Sequence, residues 1–117
     1  MAAAPSTPPV QAQRVPVNVY ETDAAVVVVA PFPGVMPDDI TVEVEGRSLS
    51  MRADMRTPAP KQYLVHEWHY GPWERELELP DGFGGEADAS FGNGQLAVRI
   101  LRGPTNPARR RVAPAGP

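Results

Sequence analysis

The sequence predicts an all-β chain, an immunoglobulin-like β-sandwich, on three observations. Apolar residues recur at every second position in several short segments, as in strands with one buried face. Gly, Pro and an Asn-Gly pair interrupt these segments at intervals too short for helices. No stretch sustains the 3.6-residue apolar period of a useful helix. With 117 residues, 42% of them hydrophobic, the chain suffices for one domain with one core.

In chain order, Met1–Arg14 is built from Ala, Pro, Ser, Thr and Gln with no periodicity, and is expected to be a disordered arm. The folded domain is expected over residues 15–102. Val17 and Val19 alternate with Asn18 and Tyr20 as a first strand. Ala25–Ala30 is a continuous Val-rich run, the pattern of a strand buried on both faces. Pro33-Gly34 breaks the chain, and Pro37-Asp38-Asp39 suits one helical turn, with proline in its first turn and acidic groups at its N-terminus.

Ile40, Val42 and Val44 then alternate with Thr41, Glu43 and Glu45, and Gly46-Arg47 turns the chain into Leu49, Met51 and Ala53. Thr57–Pro60 reads as a loop because proline cannot donate to a sheet. Tyr63–His69 is a further strand candidate, ended by Gly71-Pro72. Trp73, Arg75, Leu77 and Leu79 share a phase; Pro80–Gly85 reads as a flexible loop. Ala87, Ala89 and Phe91 share one face, Asn93-Gly94 marks a hairpin because both residues tolerate positive φ, and Leu96, Val98 and Ile100 continue beyond it. Residues 103–117, rich in Pro and Ala with Arg109-Arg110-Arg111 in a row, are expected to be a flexible extension.

Composition narrows the function. The formal net charge is -3, whereas nucleic-acid binders usually carry a basic surplus. The absence of cysteine excludes disulfides, zinc-thiolate sites and cysteine nucleophiles. Met1–Pro9 lacks the basic start and apolar run of a secretory signal, and no apolar run approaches the roughly 20 residues of a membrane span. The expected location is the cytoplasm, with neither nucleic acid nor membrane as partner.

Catalytic arrangements find little support. His66 and His69 are one residue short of the His-Glu-x-x-His spacing, and on a strand they would point to opposite faces. Ser48, Ser50 and Ser90 lie on the polar phase of strands, with no base or orienting group evident. Gly82–Gly85 opens no helix and so builds no phosphate cradle. No catalytic, cofactor or metal site is expected, and no enzyme.

Four segments, in order, resemble the Hsp20/α-crystallin domain of the small heat-shock proteins. Val26–Val35 followed by Asp38-Asp39-Ile40 resembles that domain's opening strand, Pro-Gly break and acidic turn. Leu49-Ser50-Met51-Arg52 is similar to its Leu-Thr-Ile-Arg strand. Tyr70–Pro80 resembles a Tyr-Gly-x-aromatic-x-Arg-x-aromatic-x-Leu-Pro signature, and Ala89–Val98 the Ala-x-x-x-Asn-Gly-Val-Leu-x-Val hallmark. Together they span roughly residues 17–101.

The resemblance implies an ATP-independent holdase that binds unfolding client proteins under stress and suppresses their aggregation. It implies a groove for clients or a C-terminal anchor, framed by Ile40, Val42 and Val44 and by Ala87, Ala89 and Phe91. It also implies a homodimer made by strand exchange, with Tyr63, Leu64, Val65, His66, Glu67, Trp68 and Arg75 at the interface; Arg75 would pair with a carboxylate there or carry its charge out past the core edge.

Departures temper assembly. Gln95 replaces the hallmark Val, Leu101-Arg102 replaces a Pro-Lys, and the Ile-x-Ile anchor is reduced to Val112 and Pro114. Dimers or small oligomers are therefore expected, with the groove open or loosely occupied. The alternatives are a p23-like co-chaperone module on the same sandwich, and a carbohydrate-binding or structural sandwich.

Overall fold

The computed structural model describes residues 12–54, 62–67 and 72–116. Gln13–Arg14 (β1), Asn18–Glu21 (β2) and Ala25–Pro31 (β3) lead to a 3-10 turn at Pro37–Asp39 and then Ile40–Glu45 (β4) and Ser48–Ala53 (β5). Trp73–Glu78 (β6), Ala87–Gly92 (β7), Gln95–Leu101 (β8), Arg109–Val112 (β9) and Pro114–Ala115 (β10) complete the order. Two five-stranded sheets result, β1-β6-β5-β4-β9 and β10-β7-β8-β3-β2.

The period-two pattern dictates what lies between them. Ile40, Val42 and Val44 of β4, Leu49, Met51 and Ala53 of β5, Val26 and Val28 of β3 and Leu96, Val98 and Ile100 of β8 all bury their side chains in one core with Phe32, Leu79 and Phe83. Because alternate residues point to opposite faces, the intervening Glu43, Glu45, Arg52, Glu74, Glu76 and Glu78 share the outer face of the first sheet. Trp73 ties the layers together: its Nε1 donates to the Pro33 carbonyl at 3.2 Å.

The turns form where their residues allow. Asn93 and Gly94 both have positive φ (52° and 74°), as a two-residue hairpin between β7 and β8 requires. In the 3-10 turn, Asp39 accepts the Met36 N–H at 2.8 Å and so satisfies a donor at the turn's start.

Several expectations change. The Val-rich β3 is not buried on both faces: Val27 and Val29 are half-buried, because in a two-layer sandwich the outer face of β3 has no third layer to meet. The glycine-rich loop is packed rather than free. Phe83 is buried in it, Gly84 N–H donates to Gly103 at 3.0 Å, and a β-carbon on Gly84 would lie 1.7 Å from the Pro104 carbonyl oxygen. Gln13–Arg14, expected to belong to the disordered arm, instead pairs in parallel with Trp73 and Glu74. Residues 109–115, expected in a flexible extension, form β9 and β10. Tyr63–Glu67, expected as a strand, pairs with no strand in the chain and is not a strand here. Thr57–Pro60, Trp68, His69 and Tyr70 lie outside the described residues.

Candidate functional site

β4 and β7 belong to different sheets but lie on the same side of the sandwich, where one extended segment spans the gap between them. β9 pairs antiparallel with β4, with Val112 opposite Val42, Arg111 opposite Glu43, Arg110 opposite Val44 and Arg109 opposite Glu45. One residue later β10 pairs in parallel with β7, with Pro114 opposite Ala89 and Ala115 opposite Ser90. The expectation of an open groove is thus corrected: the chain's own segment 109–115 is seated in it. The physical reason is the alternation of that segment, which turns Arg110 and Val112 inward and Arg109 and Arg111 outward.

Residues that would frame the groove are brought together, yet they serve first as core. Ile40, Val42, Val44, Ala89 and Phe91 are buried within the sandwich and Ala87 is half-buried against it. What β4 and β7 present to an occupant is their backbone edges plus the margin that Val112 fills, since Val112 is itself buried against the core. Inward-pointing Arg110 donates Nη1 to the Gly85 carbonyl at 2.6 Å, while its Nε and Nη2 are buried with no partner among the described residues.

Electrostatics hold the outer side. Arg109 donates Nε to the Glu43 carboxylate. That hydrogen bond, reinforced by the charges of Arg109 and Arg111, holds the Glu43 carboxyl below its ordinary pKa and in turn raises that of Arg109. No sequence argument assigned Arg109–Arg111 this role; the available signal was Arg109 and Arg111 on one phase of the segment, opposite in charge to Glu43 and Glu45 on one phase of β4.

A second group of expected residues lies elsewhere. Leu64 is 102% and Val65 71% exposed, and Tyr63 stacks on His66 with ring centroids 4.3 Å apart. An apolar segment so fully in water is unusual for an isolated sandwich. β2 is the outermost strand of its sheet, and Val19 and Tyr20 on it are about half exposed. Arg75 lies on β6. It faces the sandwich interior opposite Met51 and donates Nη1 to the Val15 carbonyl at 3.1 Å, with its buried Nε unpartnered. Within the chain no described carboxylate pairs with it.

Among the described residues no cluster of three or more His, Asp or Glu side chains is arranged to hold a metal ion, and no helix is long and apolar enough to cross a membrane.

A model of the Hsp20/alpha crystallin family matches residues 18–113. Small heat shock protein C2 of Rickettsia felis is 26% identical over 87 residues, 71% of this chain and 56% of that protein. Spore protein SP21 of Stigmatella aurantiaca is 30% identical over 104 residues, 85% of this chain and 62% of that protein. The chain thus spans rather more than half the length of these two relatives. Among solved structures, hspA from Xanthomonas axonopodis superposes with a TM-score of 0.71 at 26% identity, covering 82% of this chain and all of that one. A small heat-shock protein from Xylella fastidiosa gives 0.65 at 27% identity, covering 82% and 92%.

Proposed function

The chain belongs to the Hsp20/alpha crystallin family, and from that premise we propose that it is an ATP-independent holdase of the cytoplasm that captures partly unfolded proteins and suppresses their aggregation. The observation that supports this most directly is the strand addition at β4 and β7. Both edges already hold an extended segment through backbone pairing. Strand addition recognises backbone rather than a particular sequence, so it suits a binder of many unfolding chains.

Energetics fit the same role. Segments exposed by unfolding bury apolar surface on capture at roughly 25 cal/mol per Å². A partner of the unfolded state acts by mass action, engaging clients under stress and leaving native proteins alone. No nucleotide is needed, since capture is downhill.

The working unit in this proposal is a homodimer in which residues 62–68 of one protomer add to the β2 edge of its partner. The bare β2 edge and the water-exposed Leu64 and Val65 support that exchange, because each supplies what the other lacks. Arg75 remains a proposed contributor to the interface.

The test is aggregation of a heat-stressed model client without nucleotide, followed by light scattering. The protein is expected to suppress scattering at a several-fold molar excess. No suppression while the protein itself remains folded would overturn the holdase reading.

A further inference from the structure

The two faces of β9 differ in how well they fit. On the outer face the cations meet an acidic strand: Arg111 lies opposite Glu43, Arg109 opposite Glu45, and Arg109 bonds Glu43 diagonally. Glu76 of β6 adjoins the same surface groove as Glu43, Glu45 and Arg109, so negative charge extends past β4. Facing inward, Val112 is buried, but Arg110 leaves Nε and Nη2 buried without acceptors among the described residues. Charge is complementary outside, and the seating is incomplete inside.

We propose that the β4–β7 edge site is charge-selective, taking extended segments that carry Arg or Lys at the two positions facing Glu43 and Glu45 and a branched apolar residue at the Val112 position. Segment 109–115 is then its tethered, displaceable competitor. This rests on the holdase reading and names the class of client segment that its site prefers. Backbone pairing is nearly sequence-blind, so discrimination falls to side chains beside the pairing. Like charges opposite each other on neighbouring strands disfavour pairing, which makes Glu43 and Glu45 repel acidic segments as well as attract basic ones. The short connection from Leu101 to Arg109 keeps the tethered segment at an effective concentration of order millimolar. Its two unsatisfied Arg110 donors weaken it enough to exchange.

The test uses the full chain and two fluorescein-labelled octapeptides followed by anisotropy. One has the sequence of residues 109–116; the other has glutamate at its first and third positions. The hosts are wild type, R109E/R111E, which repels its own segment, and E43R/E45R, which inverts the strand's charge; all four side chains point outward, away from the core.

R109E/R111E is expected to bind the basic peptide at least tenfold more tightly than wild type does, and at least tenfold more tightly than it binds the acidic one. In E43R/E45R the preference should invert. Equal affinity for the two peptides in both variants, or no binding by either variant when its thermal unfolding matches wild type, overturns the proposal. If only one variant folds, its peptide preference decides alone. Aggregation suppression by the same wild-type preparation separates the two readings: suppression without peptide selectivity removes this inference and leaves the holdase standing.

Discussion

Replacing Arg110 with Leu should tighten the seating of β9 rather than loosen it. Arg110 makes one hydrogen bond inward, from Nη1 to the Gly85 carbonyl at 2.6 Å, and buries Nε and Nη2 without partners. Losing a charge-assisted bond costs about 1.5–3 kcal/mol, whereas removing two unsatisfied buried donors recovers about 1–3 kcal/mol for each. A leucine at this partly buried position adds roughly 1 kcal/mol by apolar contact beside Val44. Gly85 is itself partly exposed, so its carbonyl can turn to water once the guanidinium is gone. At the middle of these ranges the balance favours the closed arrangement by about 3 kcal/mol, which corresponds to roughly 150-fold in the opening equilibrium. Native-state hydrogen exchange at the β9 amides reads that equilibrium directly. Exchange in R110L should slow by that factor while amides of β5 and β8 are unchanged. β9 amides exchanging as fast as in wild type, or faster, would refute the reasoning and show that the bond to Gly85 outweighs the orphaned donors.

Further outcomes follow from other parts of the molecule. Gly84→Ala should destabilise the fold by roughly 1–3 kcal/mol, since its new methyl would overlap the Pro104 carbonyl; Gly92→Ala meets nothing within 4 Å and should change the urea midpoint little. Equal effects of the two would contradict the packed-loop description. The Glu43 carboxyl has its pKa lowered by the Arg109 bond, so its contribution to β9 seating is present above about pH 4.5 and is lost as pH falls through the lowered value. Protection factors at β9, the exchange rates referred to the intrinsic rate at each pH, should therefore fall on acidification in wild type and much less in E43Q. Because Glu43 and Arg109 sit at the surface, 1 M salt should lower them too. Deleting residues 62–68 should leave a folded monomer by light scattering; a dimer of unchanged mass would reject strand exchange.

The strands were legible in the sequence because burial on one face imposes period two, and no other local signal competes with it. β4, β5, β7 and β8 fall where alternation of Ile40–Val44, Leu49–Ala53, Ala87–Phe91 and Leu96–Ile100 puts them. The Asn93-Gly94 hairpin was legible for a backbone reason, positive φ at both residues. Less legible was everything whose conformation is set by a partner strand. Arg109–Val112 looks like a charged tail until Glu43 and Glu45 are placed beside it, because cations are unremarkable alone and ordered only opposite anions. Gln13–Arg14 has no pattern of its own and takes strand form from the edge of β6. The groove residues are neighbours, as expected, but Val42 and Val44 are also core, and the strand's outer face between them carries Glu43 and Glu45.

The edges supply the connecting logic. A two-sheet sandwich has four outer strands, here β6, β4, β7 and β2 once the added segments are set aside. Unpaired edges invite uncontrolled association, so each needs a cover. Among the described residues β1 covers β6, β9 covers β4 and β10 covers β7, while β2 has no cover in the chain. The covers are not equivalent. β1 is anchored by Val15, buried and bonded to Glu74 and Arg75. β9 rests on surface charge and one valine, with a half-satisfied guanidinium beneath. A cover held by exposed ion pairs costs little to lift, since each such pair is worth only about 0–1 kcal/mol. Among the described residues the sandwich thus has one edge closed by buried contacts, one bare, and one pair closed largely by surface charge. That gradation suits the proposed holdase: firm pairing at the proposed dimer edge, and pairing that yields to competition at the proposed client edge.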